Sequence, residues 1–395
     1  MDPRRNPYAP GAGTPPPELA GRDDIIERAA IALDRIRAGR AARSVVLYGL
    51  RGVGKTVLLQ RIRANAEQQG FVSVSIEAPE ERSLPSLLAP ALRSTLIGLS
   101  RGEAARSMLK KAFAALASFA RAARVKYDDV EFNIDFEKQA GLADSGDFEH
   151  DLRDLLVSVG EMAAERDDTA VVLFIDELQY IPENQIAPLI GALHVANQKQ
   201  LPITLVAAGL PQLLGQMGRA KSYAERLFEF VPIGPLDAEA ARRALRVPAQ
   251  NEGADYEEGG ISEIISRTER YPYFLQEWGK HAWAAAETSP ITKEDAMHAT
   301  AVALAELDAS FFRVRFDRLT PAEKRYMRAM AELGAGPHRS GDIAEKLGKK
   351  ISAVAPVRSR LIQKGMVYSP SHGDTMFTAP LFDGFMKRIM PELPQ

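Results

Sequence analysis

Apolar residues recur along this chain in two rhythms that divide it into elements. Over residues 23–37, Ile25, Ile26, Ala29, Ala30, Leu33 and Ile36 keep helical spacing behind Asp23 and Asp24, either of which can cap, so an amphipathic helix is predicted. Ser44-Val45-Val46-Leu47-Tyr48 is a short apolar run that breaks at glycines, and Val57-Leu58-Leu59-Gln60-Arg61-Ile62 resumes as a helix. Residues 71–76 alternate like a strand. The runs 170–175 and 203–208 are too continuously apolar for a strand with one wet face, which places them in the middle of a parallel sheet. Strands alternating with helices predict an open α/β sheet, whose chemistry lies at the carboxyl ends of its strands.

Outside that sheet the rhythms change. Residues 1–18 are rich in Pro, Gly and Ala and predict an extended, flexible tail. The connection from 84 to 157 is long for one between core strands. It carries an Ala-rich amphipathic stretch with Lys110, Lys111, Arg121, Arg124 and Lys126, then an acidic stretch over 128–151, and reads as an insertion at about 90–150 made of helices, with or without a hairpin at 130–136. From 237 onward strand signals stop. Helices are predicted near 237–245, 261–267 and 273–286, giving a helical domain over 237–318 with Trp278 and Trp283 in its core. A new unit, 319–395, opens at Thr320-Pro321-Ala322-Glu323 with the signature of a capping box and Pro at the first helical position. Helices at 321–333, 340–348 and 352–364, then short strands at 365–368 and 375–378, follow the order of a winged helix-turn-helix.

Composition narrows the chemistry. A length of 395 residues with 46% hydrophobic residues suffices for two or three domains. The net charge of -2 excludes a chain that is basic overall, so a nucleic-acid site must be a local patch. Zero cysteines exclude disulfides, thiolate metal sites and cysteine nucleophiles, and the six histidines show no metal-ligand spacing. With no apolar run of membrane-spanning length and no signal-peptide core, the expectation is a soluble, cytoplasmic protein without membrane contact.

Two motifs carry the candidate chemistry. Gly49-Leu50-Arg51-Gly52-Val53-Gly54-Lys55-Thr56 fits the phosphate-loop pattern G-x-x-x-x-G-K-T/S, set between a strand and the helix that Val57 continues. Its backbone N–H groups and the positive helix end suit β- and γ-phosphates, Lys55 adds a cation, and Thr56 offers a hydroxyl to Mg²⁺. Asp176-Glu177 closes the buried run 170–175. Asp176 can hold the Mg²⁺ shell and Glu177 can deprotonate the attacking water, which favours ATP hydrolysis over phosphoryl transfer to a second substrate.

These residues, with Leu19-Ala20-Gly21-Arg22-Asp23 upstream, resemble the AAA+ ATPases of the initiator type, a group that includes origin-recognition proteins and borders on the STAND ATPases. The resemblance spans nearly the whole chain. It implies an α/β P-loop NTPase (AAA+) domain over 19–236, a helical lid and a winged-helix domain, with ATP or ADP and Mg²⁺ as cofactors. It also implies adenine contacts from Leu19, Ala20 and Gly21, over which Asn6-Pro7-Tyr8 can fold. Where the group keeps a polar γ-phosphate sensor, this chain reads Gly209-Leu210-Pro211-Gln212, a departure. Where an initiator lid offers Arg, Arg270-Tyr271-Pro272-Tyr273 offers Tyr; this is closer to the Gly-x-Pro lid motif of STAND proteins and implies a nucleotide contact from Pro272. Arg219 and Arg226 fall where such proteins keep the arginine finger that reaches a neighbouring subunit, which implies a homo-oligomer.

The C-terminal unit carries the partner expectation. Residues 320–395 hold twelve Lys/Arg against seven Asp/Glu, a positive excess in a net negative chain. Lys349, Lys350, Arg358, Arg360 and Lys364 lie on or beside the third helix and are the candidates for contacts with duplex DNA. The turn at 371–374 has no Lys or Arg. The sequence therefore reads as a nucleotide-controlled DNA-binding or remodelling ATPase, with a STAND-like switch that docks on a protein partner as the alternative.

Overall fold

The computed structural model describes residues 1–11, 13–79, 83–100, 105–122, 147–166 and 168–393. Five parallel strands form its central sheet: β1 (Ser44–Tyr48), β2 (Val72–Glu77), β3 (Val171–Asp176), β4 (Ile203–Gly209) and β5 (Phe228–Pro232), in the spatial order β2-β3-β4-β1-β5. Every residue of β3 and β4 is buried, because helices cover both faces. Alternation then sends Val45, Leu47, Phe174 and Val206 to one core, and Val46, Leu173, Ile175 and Leu205 to the other.

The second core is closed by helices Leu84–Leu99, Ala105–Ala122, Phe148–Ala164 and Glu183–Gln198. The described part of the 90–150 region is thus helical, and helix Ala105–Ala122 packs on helices Leu84–Leu99 and Phe148–Ala164, with Lys111 paired to Glu161 at 2.9 Å. The strand-like run 130–136 lies outside the described residues.

The first core runs on without a break through helices Asp23–Arg37 and Lys55–Gln68 into the helical domain and the C-terminal unit. The helical domain comprises Ala238–Asn251, Glu258–Thr268, Pro272–Ala285 and Lys293–Leu307. Asp237 caps the first of these by accepting from Ala240 N–H at 2.7 Å. Trp278 is fully buried and its indole N–H donates to Thr300 Oγ1 at 2.9 Å, which satisfies the ring's polar edge inside the core.

The N-terminal segment corrects the expectation of a flexible tail. Tyr8 is buried, with its hydroxyl donating to the Leu245 carbonyl and its ring filling the space beside Gly279, where an added Cβ would come within 2.7 Å of it. Asn6 Nδ2 donates to Lys280 O, and Trp283 Nε1 donates to Asp2 O. Composition pointed to mobility because Pro and Gly dominate; the few anchoring side chains between them fix the segment along the helical domain.

In the C-terminal unit, helix Pro321–Leu333 starts at the expected capping box, with Thr320 N–H donating to Glu323 at 2.8 Å. Helices Ser340–Lys346 and Ile351–Gln363 follow. An antiparallel sheet of β6 (His338–Arg339), β7 (Val367–Tyr368) and β8 (Asp374–Phe377), with β8 in the centre, lies beside them. A last helix, Phe382–Ile389, buries Phe382, Phe385 and Met386. No helix among the described residues is long and apolar enough to cross a membrane.

Candidate functional site

The loop 49–54 leaves β1 and turns directly into helix Lys55–Gln68. Its glycines are required, Gly52 among them at φ +80°. A Cβ on Gly49 would sit 2.0 Å from the Ile233 carbonyl, and Gly54 holds φ +88° at the residue that starts the helix. Lys55 is buried and donates to the carbonyls of Gly49 at 3.0 Å and Leu50 at 2.9 Å. Burial pushes its ammonium down to about 8, against the opposing pull of Glu177 and Asp176. A buried lysine held by carbonyls alone is ready to exchange them for phosphate oxygens.

The next carboxylates come from the end of β3. Asp176 is buried, and burial raises its pKa even though the Thr56 side chain and the Glu177 N–H, the latter at 2.8 Å, both donate to it. A hydroxyl and a carboxylate already in contact form the hard-oxygen pair that suits Mg²⁺, so Thr56 and Asp176 fit that role. Glu177 takes a left-handed conformation, φ +53°, as the strand breaks, and its carboxylate faces the cavity beside the loop.

Gln179, which the sequence reading did not single out, is buried behind Glu177. Its amide donates to the Glu177 carboxylate, and its oxygen accepts from Leu210 N–H at 2.9 Å. It therefore ties the end of β3 to the end of β4. The signal it left in the sequence is only a polar residue inside a buried turn, with no spacing pattern to mark it. Gln212, at the departed sensor position, donates to Ile362 O at 3.4 Å.

A cavity of about 310 Å³ lies against the loop, lined by Arg51, Gly52, Val53, Gly54, Lys55, Thr56, Val57 and Glu177. Leu19, Ala20 and Pro272 line it as well, together with Tyr273, whose N–H donates to the Gly52 carbonyl at 3.1 Å. Gly21 plays a different part: its φ is +66° and a Cβ there would strike Ala240 at 2.6 Å, so it permits close packing on the helical domain. The neighbouring Arg22 is buried and donates to the carbonyls of Gly234 and Val53, bracing the loop from behind. Asn6-Pro7-Tyr8, expected to fold over the base, does not line this cavity. Residues 9–11, 13, 14, 16 and 18 do, because Tyr8 is the anchor that sends the following segment across the cavity.

Arg219 is exposed and pairs with Glu183 at 3.2 Å, and Arg226 is exposed; neither lines the cavity of its own chain.

The C-terminal unit reaches the same site. Arg51 N–H donates to Thr378 O at 2.8 Å, and the Arg51 guanidinium donates to the Tyr180 hydroxyl at 2.8 Å. A second cavity, of about 320 Å³, opens at this seam between Arg51, Glu177, Tyr180, Lys364 and Met366.

Of the five cations expected to be available to duplex DNA, three are engaged within the unit. Arg358 is held inside the unit, donating to Thr375 Oγ1, Ser369 Oγ and Asp374 O at 2.7–2.8 Å. Lys364 donates to Glu323 at 2.8 Å and to Arg318 O, and Arg360 lies 3.7 Å from Glu323. Burial works against the Glu323 charge, yet the hydrogen bonds from Lys364 and Thr320 hold its pKa below the usual value. Lys349 and Lys350 are exposed.

Residues 18–206 match the family model of the AAA ATPase domain, and residues 309–386 match one described as a domain of unknown function. No curated protein matches the chain. Among solved structures, the chain is similar to the Walker-type ATPase PABY2304 of Pyrococcus abyssi, at 16% identity over 95% of this chain and 97% of that one, with a TM-score of 0.58. It is also similar to Aeropyrum pernix ORC1 in complex with DNA, at 16% identity over 94% of each chain with a TM-score of 0.47. The Thermotoga maritima RuvB branch migration motor gives 15% identity over 95% and 97%, with a TM-score of 0.46. The fold is that of a P-loop NTPase with an AAA-type ATPase domain.

Proposed function

We propose that this chain binds ATP with Mg²⁺, hydrolyses it, and uses its nucleotide state to hold or release the C-terminal unit. The observation that carries this reading is the bond from Arg51 N–H, inside the phosphate loop, to Thr378 O in that unit. A loop that rearranges around phosphates shares a hydrogen bond with the part it would control.

On ATP binding, Lys55 gives up the Gly49 and Leu50 carbonyls for phosphate oxygens. Thr56 and Asp176 would hold the Mg²⁺, which supplies charge neutralisation at the phosphates. Glu177 takes the proton of the attacking water, and Gln179 fixes the direction of that carboxylate. Leu19, Ala20 and residues 9–11, 13, 14, 16 and 18 enclose the base. Arg219 and Arg226 are proposed to act on a neighbouring copy; turnover per chain that rises with protein concentration tests this.

For the output of the unit, the internal use of Arg358 and Lys364 favours a protein-docking role over duplex DNA, since it removes two of the five candidate phosphate contacts. Fluorescence anisotropy of labelled duplex DNA, titrated at two salt concentrations with ADP or a non-hydrolysable ATP analogue, tests the choice. Affinity that falls steeply with salt reinstates the DNA reading. Limited proteolysis under the same nucleotides tests the switch: equal cleavage between the helical domain and the C-terminal unit in both states would refute it.

A further inference from the structure

Arg315 stands apart from the other cations of this chain. It lies in the short helix Arg313–Asp317, between the helical domain and the C-terminal unit, and belongs to neither sequence motif. Its guanidinium lies 3.9 Å from the centre of the Phe311 ring and donates to the Phe311 carbonyl. Phe311 in turn stacks on Tyr273, with ring centres 5.0 Å apart, and Tyr273 is bonded through its N–H to Gly52. A packed path therefore fixes this arginine against the phosphate loop.

Position tells which part of a nucleotide it would meet. Arg315 lines both cavities described above, and so do Arg51 and Glu177. Leu19, Ala20, Leu236 and Ala244 line only the first. The side chain thus lies at the Glu177 end, where water attacks, and away from the base.

Its charge lacks an anion. Among the described residues no carboxylate forms an ion pair with it, although Glu177 lines both cavities and Glu77 the second; burial first, and then the neighbouring Arg51, lower its pKa to about 10, while the phenols of Tyr273 and Tyr180 act the other way. Two guanidinium groups and the Lys55 ammonium facing one cavity form a site that an anionic ligand completes.

We propose that Arg315 binds the terminal phosphate of ATP, delivered within the same chain by the segment that joins the helical domain to the C-terminal unit. The assignment rests on the nucleotide reading above. It gives ATP a direct hold on that segment, which ADP lacks.

The test is calorimetric titration of the full chain with a non-hydrolysable ATP analogue and with ADP, both with Mg²⁺, for wild type, Arg315→Ala and Arg315→Lys. Removing a charge-assisted hydrogen bond should weaken the analogue by roughly 10- to 100-fold while ADP binding changes by less than about threefold. Arg315→Lys, which keeps the charge but not the fork, should fall between the two. A merely structural role would not move the ratio of the two affinities. Unchanged analogue binding, or equal loss of both nucleotides, overturns the proposal. Wild type that binds neither nucleotide overturns the nucleotide reading itself. If Arg315→Ala does not fold, Arg315→Gln, neutral and closer in length, is read by the same ratio.

Discussion

The backbone N–H of Arg51 donates to the carbonyl oxygen of Thr378 at 2.8 Å, and this bond closes the phosphate loop against the end of β8. The donor belongs to the phosphate-loop motif, yet here a distant part of the chain satisfies it. Beside it, Gly365 lies so close to Leu210, Arg51 and Tyr180 that an added Cβ would meet them at 3.1–3.2 Å. The seam is therefore tight, and any rearrangement of the loop is felt across it.

Gly365→Leu should open that seam. Both Gly365, at φ +61°, and Gly373, at φ +84°, have left-handed backbones, but Gly373 has nothing within 4 Å. The two leucine variants share the backbone strain, and only the first adds overpacking, which costs about 1–3 kcal/mol. Stopped-flow release of a fluorescent ADP should quicken by roughly 5- to 150-fold for Gly365→Leu, a range set by that cost. Gly373→Leu should release at the wild-type rate. Equal rates for the two variants would show that the seam does not restrain nucleotide.

Lys55 makes ATP binding pH-dependent. In the free chain its pKa is pushed to about 8, so it is charged below that pH and neutral above it. Phosphates favour the charged form and raise the value again, so binding takes up a proton above pH 8 and weakens by up to about tenfold per pH unit there. The unliganded fold shifts the opposite way: from about pH 8 to the unfolded value the unfolded chain binds this proton more tightly, so stability rises with pH. Calorimetry at pH 7 and pH 9, in buffers of different ionisation enthalpy, measures the uptake. Lys55→Ala should abolish both the uptake and tight binding.

The fold and the nucleotide motifs were legible because they depend on local rules. The unbroken apolar runs at 170–175 and 203–208 became strands buried on both faces, and Lys55, Thr56, Asp176 and Glu177 meet at one end of the sheet. What stayed hidden depends on long-range contacts between residues with no shared pattern. Tyr8 looked like part of a loose tail until its hydroxyl found Leu245. The bond from Arg51 to Thr378 uses only backbone atoms, so no side chain could announce it. Arg315 sits in a stretch, Arg313–Asp317, where the sequence marks neither an element nor a motif.

Glu177 and Gln179 should separate binding from turnover. Glu177→Gln keeps the shape of the site but cannot accept the proton of water, so ATP affinity should hold while hydrolysis falls by about 10²- to 10⁴-fold. Gln179→Leu leaves Glu177 without its amide donor and Leu210 N–H without its acceptor. Its phosphate release, followed under single-turnover conditions, should slow by at least about tenfold, with ATP affinity changed far less. If Gln179→Leu turns over as fast as wild type, Gln179 does not position the base.

Charge reversal in the C-terminal unit should give two different results according to where the cation is held. Arg358 is tied by three hydrogen bonds to Thr375, Ser369 and Asp374, so Arg358→Glu removes all three and places a carboxylate beside their acceptors. Hydrogen bonds from a charged donor contribute about 1.5–3 kcal/mol each to stability, so the unit should unfold several degrees earlier by differential scanning calorimetry. Lys349 and Lys350 are exposed and precede helix Ile351–Gln363, so reversing both should leave the unfolding temperature within about a degree, as expected for surface positions. Any duplex binding that wild type shows must then respond to the second pair. Each DNA phosphate that a lysine no longer neutralises lowers the log–log salt slope by about one unit. Binding whose slope is unchanged by reversal of Lys349 and Lys350 does not use this face of the unit.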